Sequence, residues 1–257
     1  MKRNSKRLKV LVMFLLFALI LPNPLVQAVT KPVVGVSTVY TEKVGTIQVG
    51  VFIASDSKIA SGSFELEYDE KLLRIRNQDL TIGETISPAL TSTNGAKAGT
   101  VSVSWAQASE QTLNGTLLTV SAYMLKAGET ANISLKNVKL YSGNGTPIDI
   151  QLLDGAVKPF KGETKVHNKK EQPNKEWTVT LNKEFNPSTL NKHTVVVKNS
   201  RGALVEVKVK KKTNNSFTVT PISNYGAGKY TLEISEQVRS INGSKLNKAI
   251  KHEFTIQ

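Results

Sequence analysis

The chain has 257 residues, no cysteine, 6% aromatic residues and a formal net charge of +14. Without cysteine it has no disulfide, thiol nucleophile, thiolate metal ligand or thiol-linked lipid, so each module must fold on buried apolar surface alone. Charge is uneven, with 11 Lys+Arg against 12 Asp+Glu in residues 29–160 and 18 against 8 in residues 161–257, so any salt-dependent attraction to anionic polymers belongs to the second half.

Lys2, Arg3, Lys6, Arg7 and Lys9 precede an unbroken apolar run of twelve residues, Val10 to Leu21. A membrane-spanning helix needs about 20 apolar residues. A secretory signal needs roughly 7 to 15, followed by a small-residue cleavage site, and Val26-Gln27-Ala28 fits such a site. Residues 1–28 are therefore predicted to be a signal peptide cleaved after Ala28, the alternative being an uncleaved N-terminal anchor. No second apolar run of that length follows. The product is expected to have no membrane span after cleavage and to be secreted, extracellular or associated with the envelope. The polyanions available there are wall polymers and acidic glycans, not nucleic acid.

From residue 33 onward apolar residues recur with period two in short β-branched segments, which is the pattern of half-buried strands. Thr46 to Ile53 alternates, and so does Gly62 to Tyr68, where Phe64, Leu66 and Tyr68 must share one face and Ser63, Glu65 and Glu67 the other. Val101–Trp105, Leu117–Met124 and Ile133–Val138 are further strands. Asn94-Gly95, Asn114-Gly115, Asn144-Gly145 and Asp154-Gly155 provide residues that tolerate the positive φ of tight turns. No stretch has convincing helical periodicity, so helices are expected to be short or absent.

The polar run His167 to Pro173 has little to bury and reads as part of a linker spanning Lys158 to Asn174. Strands resume at Trp177–Leu181 and continue through 194–198, 203–210, 216–220, 229–234 and 252–256. Six or seven strands in so short a segment suit an immunoglobulin-like sandwich. The expected organisation is a signal peptide (1–28), a first sandwich (29–160) and a basic second sandwich (161–257).

Residues 33–160 resemble a cohesin domain. Gly45-Thr46-Ile47-Gln48-Val49, the segment Gly62 to Asp69 with Leu72-Leu73, and Gly115 to Val120 carry the resemblance in order, closed by Gly145 to Ile148 and Asp154 to Val157. The resemblance implies a jelly-roll sandwich that receives dockerin modules on an exposed sheet face, in assemblies tied to polysaccharide breakdown. The second half resembles the bacterial immunoglobulin-like domains of S-layer and other surface proteins, through Trp177 to Leu181, Tyr225 to Leu232 and Phe254-Thr255-Ile256. Such modules space or display others.

Candidate partner-binding residues are Ser61, Ser63, Glu65 and Glu67 on the outward face of one strand, with Ser102 and Ser104 on the strand ending at Trp105. An ordinary solvated face is the competing interpretation. Dockerin binders often carry Asn or Asp where this chain has Ser61 and Ser63, which leaves partner choice open. Glu65 and Glu67 are spaced like a glycosidase pair, but an open strand face offers no pocket to raise a carboxyl pKa. No catalytic residue, metal site or cofactor is assigned.

His167, His193 and His252 fit satisfied or solvated histidines, because none has a metal-ligand spacing. Asp69, Glu70, Asp149 and Asp154 fit turns better than a Ca²⁺ site. Lys208, Lys210, Lys211 and Lys212 are candidates for holding an anionic polymer, or protect an edge strand from aggregation. The expected function is non-catalytic recognition of a secreted or surface protein of dockerin-like type. Carbohydrate binding is the alternative, and would show itself as a line of exposed aromatics on one sheet face.

Overall fold

The computed structural model describes residues 31–257, and the predicted signal peptide lies outside them. No helix among the described residues is long and apolar enough to cross a membrane. The first half contains β1 (Val33–Val36), β2 (Val39–Tyr40), β3 (Gly45–Tyr68), β4 (Leu73–Arg74), β5 (Leu80–Ile82), β6 (Leu90–Asn94), β7 (Thr100–Met124), β8 (Ala131–Tyr141), β9 (Gln151–Leu153) and β10 (Gly155–Lys158).

β3 and β7 have 24 and 25 residues, too many for one layer of a small domain. Their pairing shifts register between Val51 and Phe52, Ala54 and Lys58, and Ile59 and Ser61. Before these bends β3 pairs with β1 and with the end of β7, as in Val34↔Ile53 and Val49↔Val120. After them it pairs with β8 and with the start of β7, as in Leu66↔Leu135 and Phe64↔Val103. The two long strands thus serve both layers of a sandwich. Val34, Val51 and Leu118 from one layer share a single core with Phe64, Val103 and Leu135 from the other.

The second half contains β11 (Glu163–Glu171), β12 (Trp177–Thr180), β13 (Val195–Asn199), β14 (Leu204–Val205), β15 (Val207–Lys211), β16 (Ser216–Pro221), β17 (Gly228–Ile234) and β18 (Ile250–Ile256). They form a five-stranded sheet, β11-β18-β17-β13-β14, and a three-stranded one, β12-β16-β15. Phe185, Val195, Phe217, Leu232 and Phe254 fill the core. Among the described residues the only helical turns are the 3-10 turns Asn77–Asp79 and Pro187–Thr189.

Two local expectations are corrected. The polar run read as a linker belongs largely to β11, which pairs in parallel with β18 from Glu163↔Ile250 to Glu171↔Ile256. An edge strand needs a hydrogen-bonded neighbour on one side only and leaves most side chains in water, so its charges do not oppose strand formation. His167 anchors the run, with its ring 5.1 Å from that of Trp177 and its Nε2 2.6 Å from Glu171 Oε1. In addition, Val49 to Ile53 does not alternate in burial, because every side chain there is buried.

That double burial arises where the second half covers the first. Val33, Phe52 and Leu153 form a small apolar cluster, and the His193 ring stacks on Phe52 at 5.0 Å and 6°. Gly50 leaves the necessary room, since a Cβ there would lie 2.5 Å from His193 Nδ1. His193 Nε2 is 3.1 Å from Thr116 Oγ1, and Lys192 pairs with Glu84 at 3.0 Å. Gln237 Nε2 donates to the carbonyls of Val36 and Asp154, and its Oε1 accepts from Thr38 N–H. Glu236 accepts from Tyr40 Oη at 2.6 Å and from Lys158 at 3.2 Å. Gln237, on the loop joining β17 to β18, thereby satisfies backbone groups of the first sandwich.

Burial pushes the His193 pKa down to about 4, with Lys192 adding to the effect and Glu84 opposing it. Burial by itself would raise Glu84, but Lys192 and the Thr116 N–H hold it at about 2. An unfolded histidine titrates near about 6.5, so the unfolded chain takes up this proton first. The contribution of His193 is therefore full above about pH 6.5, is lost as pH falls toward 4, and amounts to roughly 3 kcal/mol. His193→Phe, which keeps the ring, should remove most of that dependence. Urea midpoints at neutral pH and near pH 4.5 measure it, and an unchanged pH dependence would contradict the role given to His193.

Candidate binding face

β8, β3, β7 and β6 lie side by side in one layer, and register aligns their outward residues in rows. Leu90, Ala106, Ser61 and Tyr141 make one row, and Ser92, Ser104, Ser63 and Lys139 the next. Asn94, Ser102, Glu65 and Lys136 make the third, and Thr100, Glu67 and Ser134 the fourth. The alternate residues Phe64, Leu66, Val101, Val103 and Trp105 are buried beneath. All six residues predicted as partner-binding therefore lie on one face, with Ser63 and Ser104 paired directly and Glu65 opposite Ser102.

The centre of this face is a shallow depression of about 400 Å³, lined by Ser63, Glu65, Ser102, Ser104 and neighbours from β6 and β8. Its floor is hydroxyl-rich, while Lys136 and Lys139 stand exposed along one side. Leu90, 83% exposed, sits at the opposite edge. The face is polar and open, with Tyr141 the single aromatic in the four rows. Of the two carboxylates on the face, Glu65 lines the depression and Glu67 is exposed.

Sequence reasoning missed Asn137, at φ 50 the only non-glycine residue of positive φ among those described. It is the extra residue of a bulge between the pairs Ser63↔Lys139 and Glu65↔Lys136. Its Nδ2 donates to Glu65 Oε2 at 2.7 Å, which fixes that carboxylate on the face. A signal was present: the apolar positions Leu135, Val138 and Leu140 are spaced three and then two apart, breaking period two where the bulge falls.

Three of the four acidic residues weighed for Ca²⁺ are engaged locally. Asp69 Oδ1 accepts the Lys71 N–H at 2.8 Å, Asp154 Oδ1 accepts the Leu135 N–H at 2.9 Å, and Asp149 pairs with Lys31. Among the described residues no group of three or more His, Asp or Glu side chains is placed to hold a metal. Lys208, Lys210 and Lys211 lie exposed on β15, at the end of its three-stranded sheet, and Lys212 reaches Thr178 Oγ1 at 3.5 Å. Lys208 and Lys210 oppose Thr220 and Thr218, so they face hydroxyls and not carboxylates.

No curated protein matches the chain. Among solved structures, it is similar to the non-cellulosomal cohesin of the hyperthermophilic archaeon Archaeoglobus fulgidus, at 17% identity over 51% of this chain and 93% of that one, with a TM-score of 0.46. The cohesin of a Coh-OlpA–Doc918 type I cohesin–dockerin complex from Clostridium thermocellum gives 17% identity, 51% and 100% coverage and a TM-score of 0.45. A type II cohesin domain from the cellulosome of Acetivibrio cellulolyticus gives 14% identity, 50% and 95% coverage and a TM-score of 0.43. Residues 155–256 match the family model of the bacterial Ig-like domain, although Gly155–Lys158 pair with β8 and β2 of the first sandwich. The chain is thus an all-β protein similar to cohesins over about half its length and to bacterial Ig-like domains over residues 155–256.

Proposed function

We propose that the chain is an exported, non-catalytic binding protein whose β8-β3-β7-β6 face docks a secreted protein of dockerin-like type. It acts in an extracellular or envelope-associated assembly linked to polysaccharide breakdown. The observation that carries this reading is the face itself: four strands of hydroxyls and carboxylates, open and nearly free of aromatics, flanked by two lysines and one exposed leucine. Sugar-binding sheets stack aromatic rings on the pyranose faces, and this face has only Tyr141 to offer. A protein partner needs complementary polar groups with an apolar anchor, which Ser61, Ser63, Glu65, Glu67, Ser102, Ser104 and Leu90 supply.

The second sandwich holds the first in a fixed orientation, and its excess of lysines, including Lys208, Lys210, Lys211 and Lys212, draws the protein toward anionic wall polymers. The test is calorimetric titration of the whole chain with a panel of dockerin modules in Ca²⁺ and with neutral polysaccharides. Saturable dockerin binding is expected. Polysaccharide binding with no response to any dockerin would overturn the reading in favour of a glycan-binding protein.

A further inference from the structure

A second concavity lies in the second sandwich, between the loop after β12 and the loop joining β17 to β18. It has a volume of about 410 Å³, room for one sugar-sized unit, and an apolar floor that includes Leu181, Phe185 and Leu246. Four cations line it, Lys183, Arg239, Lys245 and Lys248, against two acids, Glu163 and Glu184. Both acids are engaged elsewhere: Glu163 pairs with Lys165 at 3.4 Å, and Glu184 Oε1 accepts from Asn214 Nδ2 at 3.2 Å. Among the described residues none of the four cations makes an ion pair. Four cations against two carboxylates, one of them paired with Lys165 outside the lining, leave the cavity with an excess of positive charge.

Arg239 is the fixed point of this wall. Its N–H donates to Thr189 Oγ1 at 3.1 Å and its carbonyl accepts the Asn186 N–H at 2.8 Å. Its Nη1 donates to the Gly243 carbonyl at 3.0 Å, while Nε is buried and has no hydrogen-bond partner. The turn that presents it is rigid, closed by Gly243 N–H to the Ser240 carbonyl and by the bridge Arg239↔Lys245.

We propose that this cavity binds an acidic glycan unit, its oxyanion held by Arg239, Lys245 and Lys248 and the apolar face of its ring or polyol chain resting on Leu181, Phe185 and Leu246. The chemistry shared by the candidate ligands is one phosphate or carboxylate on a polyhydroxylated unit, as in a poly(glycerol phosphate) or a polyuronate. The proposal gives the general attraction of the second half for anionic polymers a specific seat, separate from the β15 lysines and from the polar face of the first sandwich.

The experiment uses the whole chain at about 0.15 M salt, where charges beyond roughly 8 Å are largely screened. Binding to poly(glycerol phosphate), polygalacturonate and neutral dextran is measured for the wild type, for K245Q/K248Q and for K43Q/K58Q, two doubles that remove equal charge from exposed positions. Binding to at least one acidic polymer is expected, about tenfold weaker in K245Q/K248Q, as loss of a charge-assisted contact implies. K43Q/K58Q, in the near-neutral first half, should change it by no more than about twofold. Preference for phosphate or carboxylate supports the proposal in either case and names the oxyanion. Equal losses in the two doubles, equal binding to dextran, or no acidic polymer bound would overturn it. Dockerin binding, read separately on the same variants, should not move.

Discussion

Phe52→Ala is expected to lower the stability of the protein by about 3–5 kcal/mol, the range for truncating a fully buried phenylalanine. Phe52 is 1% exposed, yet it lies in the cluster of Val33 and Leu153, outside the main core of its own sandwich. Its burial depends on His193 from the other half, stacked at 5.0 Å. Were the halves independent, the ring would keep its packing on Gly35, Val33 and Leu153 but turn its other face to water, and its loss would cost less. The two tryptophans make the distinction measurable, since Trp105 sits in the first core and Trp177 packs against the second. With single-tryptophan backgrounds, denaturant unfolding of the wild-type sequence should give coincident transitions. In Phe52→Ala the transitions should separate, because removing the ring takes away the packing that couples them. A cost below about 1 kcal/mol with unchanged, coincident midpoints would refute the coupling.

Ser63→Arg with Glu65→Arg should weaken binding of the protein partner by about a hundredfold or more, since central positions of an interface carry most of its energy. Both residues line the depression, and the new cations would lie beside Lys139 and Lys136. The substitution thus removes an anion and builds a cationic cluster where the partner must approach. Stability should fall by about 1 kcal/mol or less, because each side chain points away from the core and the cost is like-charge repulsion across strands. Affinity by calorimetry and stability by denaturation separate the two effects. Undiminished affinity in a folded variant would move the docking surface elsewhere.

Much of this was legible from the chain alone. Phe64, Leu66 and Tyr68 alternate with Ser63, Glu65 and Glu67, and the backbone needs no further information to place them on opposite sides. The same holds for Val101, Val103 and Trp105 against Ser102 and Ser104. What alternation could not supply was the neighbours of those residues. Ser92 and Asn94 on β6, and Lys136 and Lys139 on β8, join the face only through register with strands far along the chain. Nor could composition show that the run from Glu163 to Glu171 has a pairing partner, because its partner strand, Ile250–Ile256, lies far along the chain.

His193 shows the boundary between the two kinds of information. In the sequence it is one histidine without a metal-ligand spacing, equally at home in water or in a core. In the structure it sits on Phe52 over Gly50 with its pKa depressed to about 4. The strands, their faces, the cationic N-terminal run and the basic second half follow from local periodicity and charge, which are properties of residues a few positions apart. The rows of the polar face, the cationic cavity around Arg239 and the seam that buries Phe52 depend on contacts between distant segments. Those contacts are decided by which apolar surfaces the folded chain covers together, and no local pattern encodes that choice.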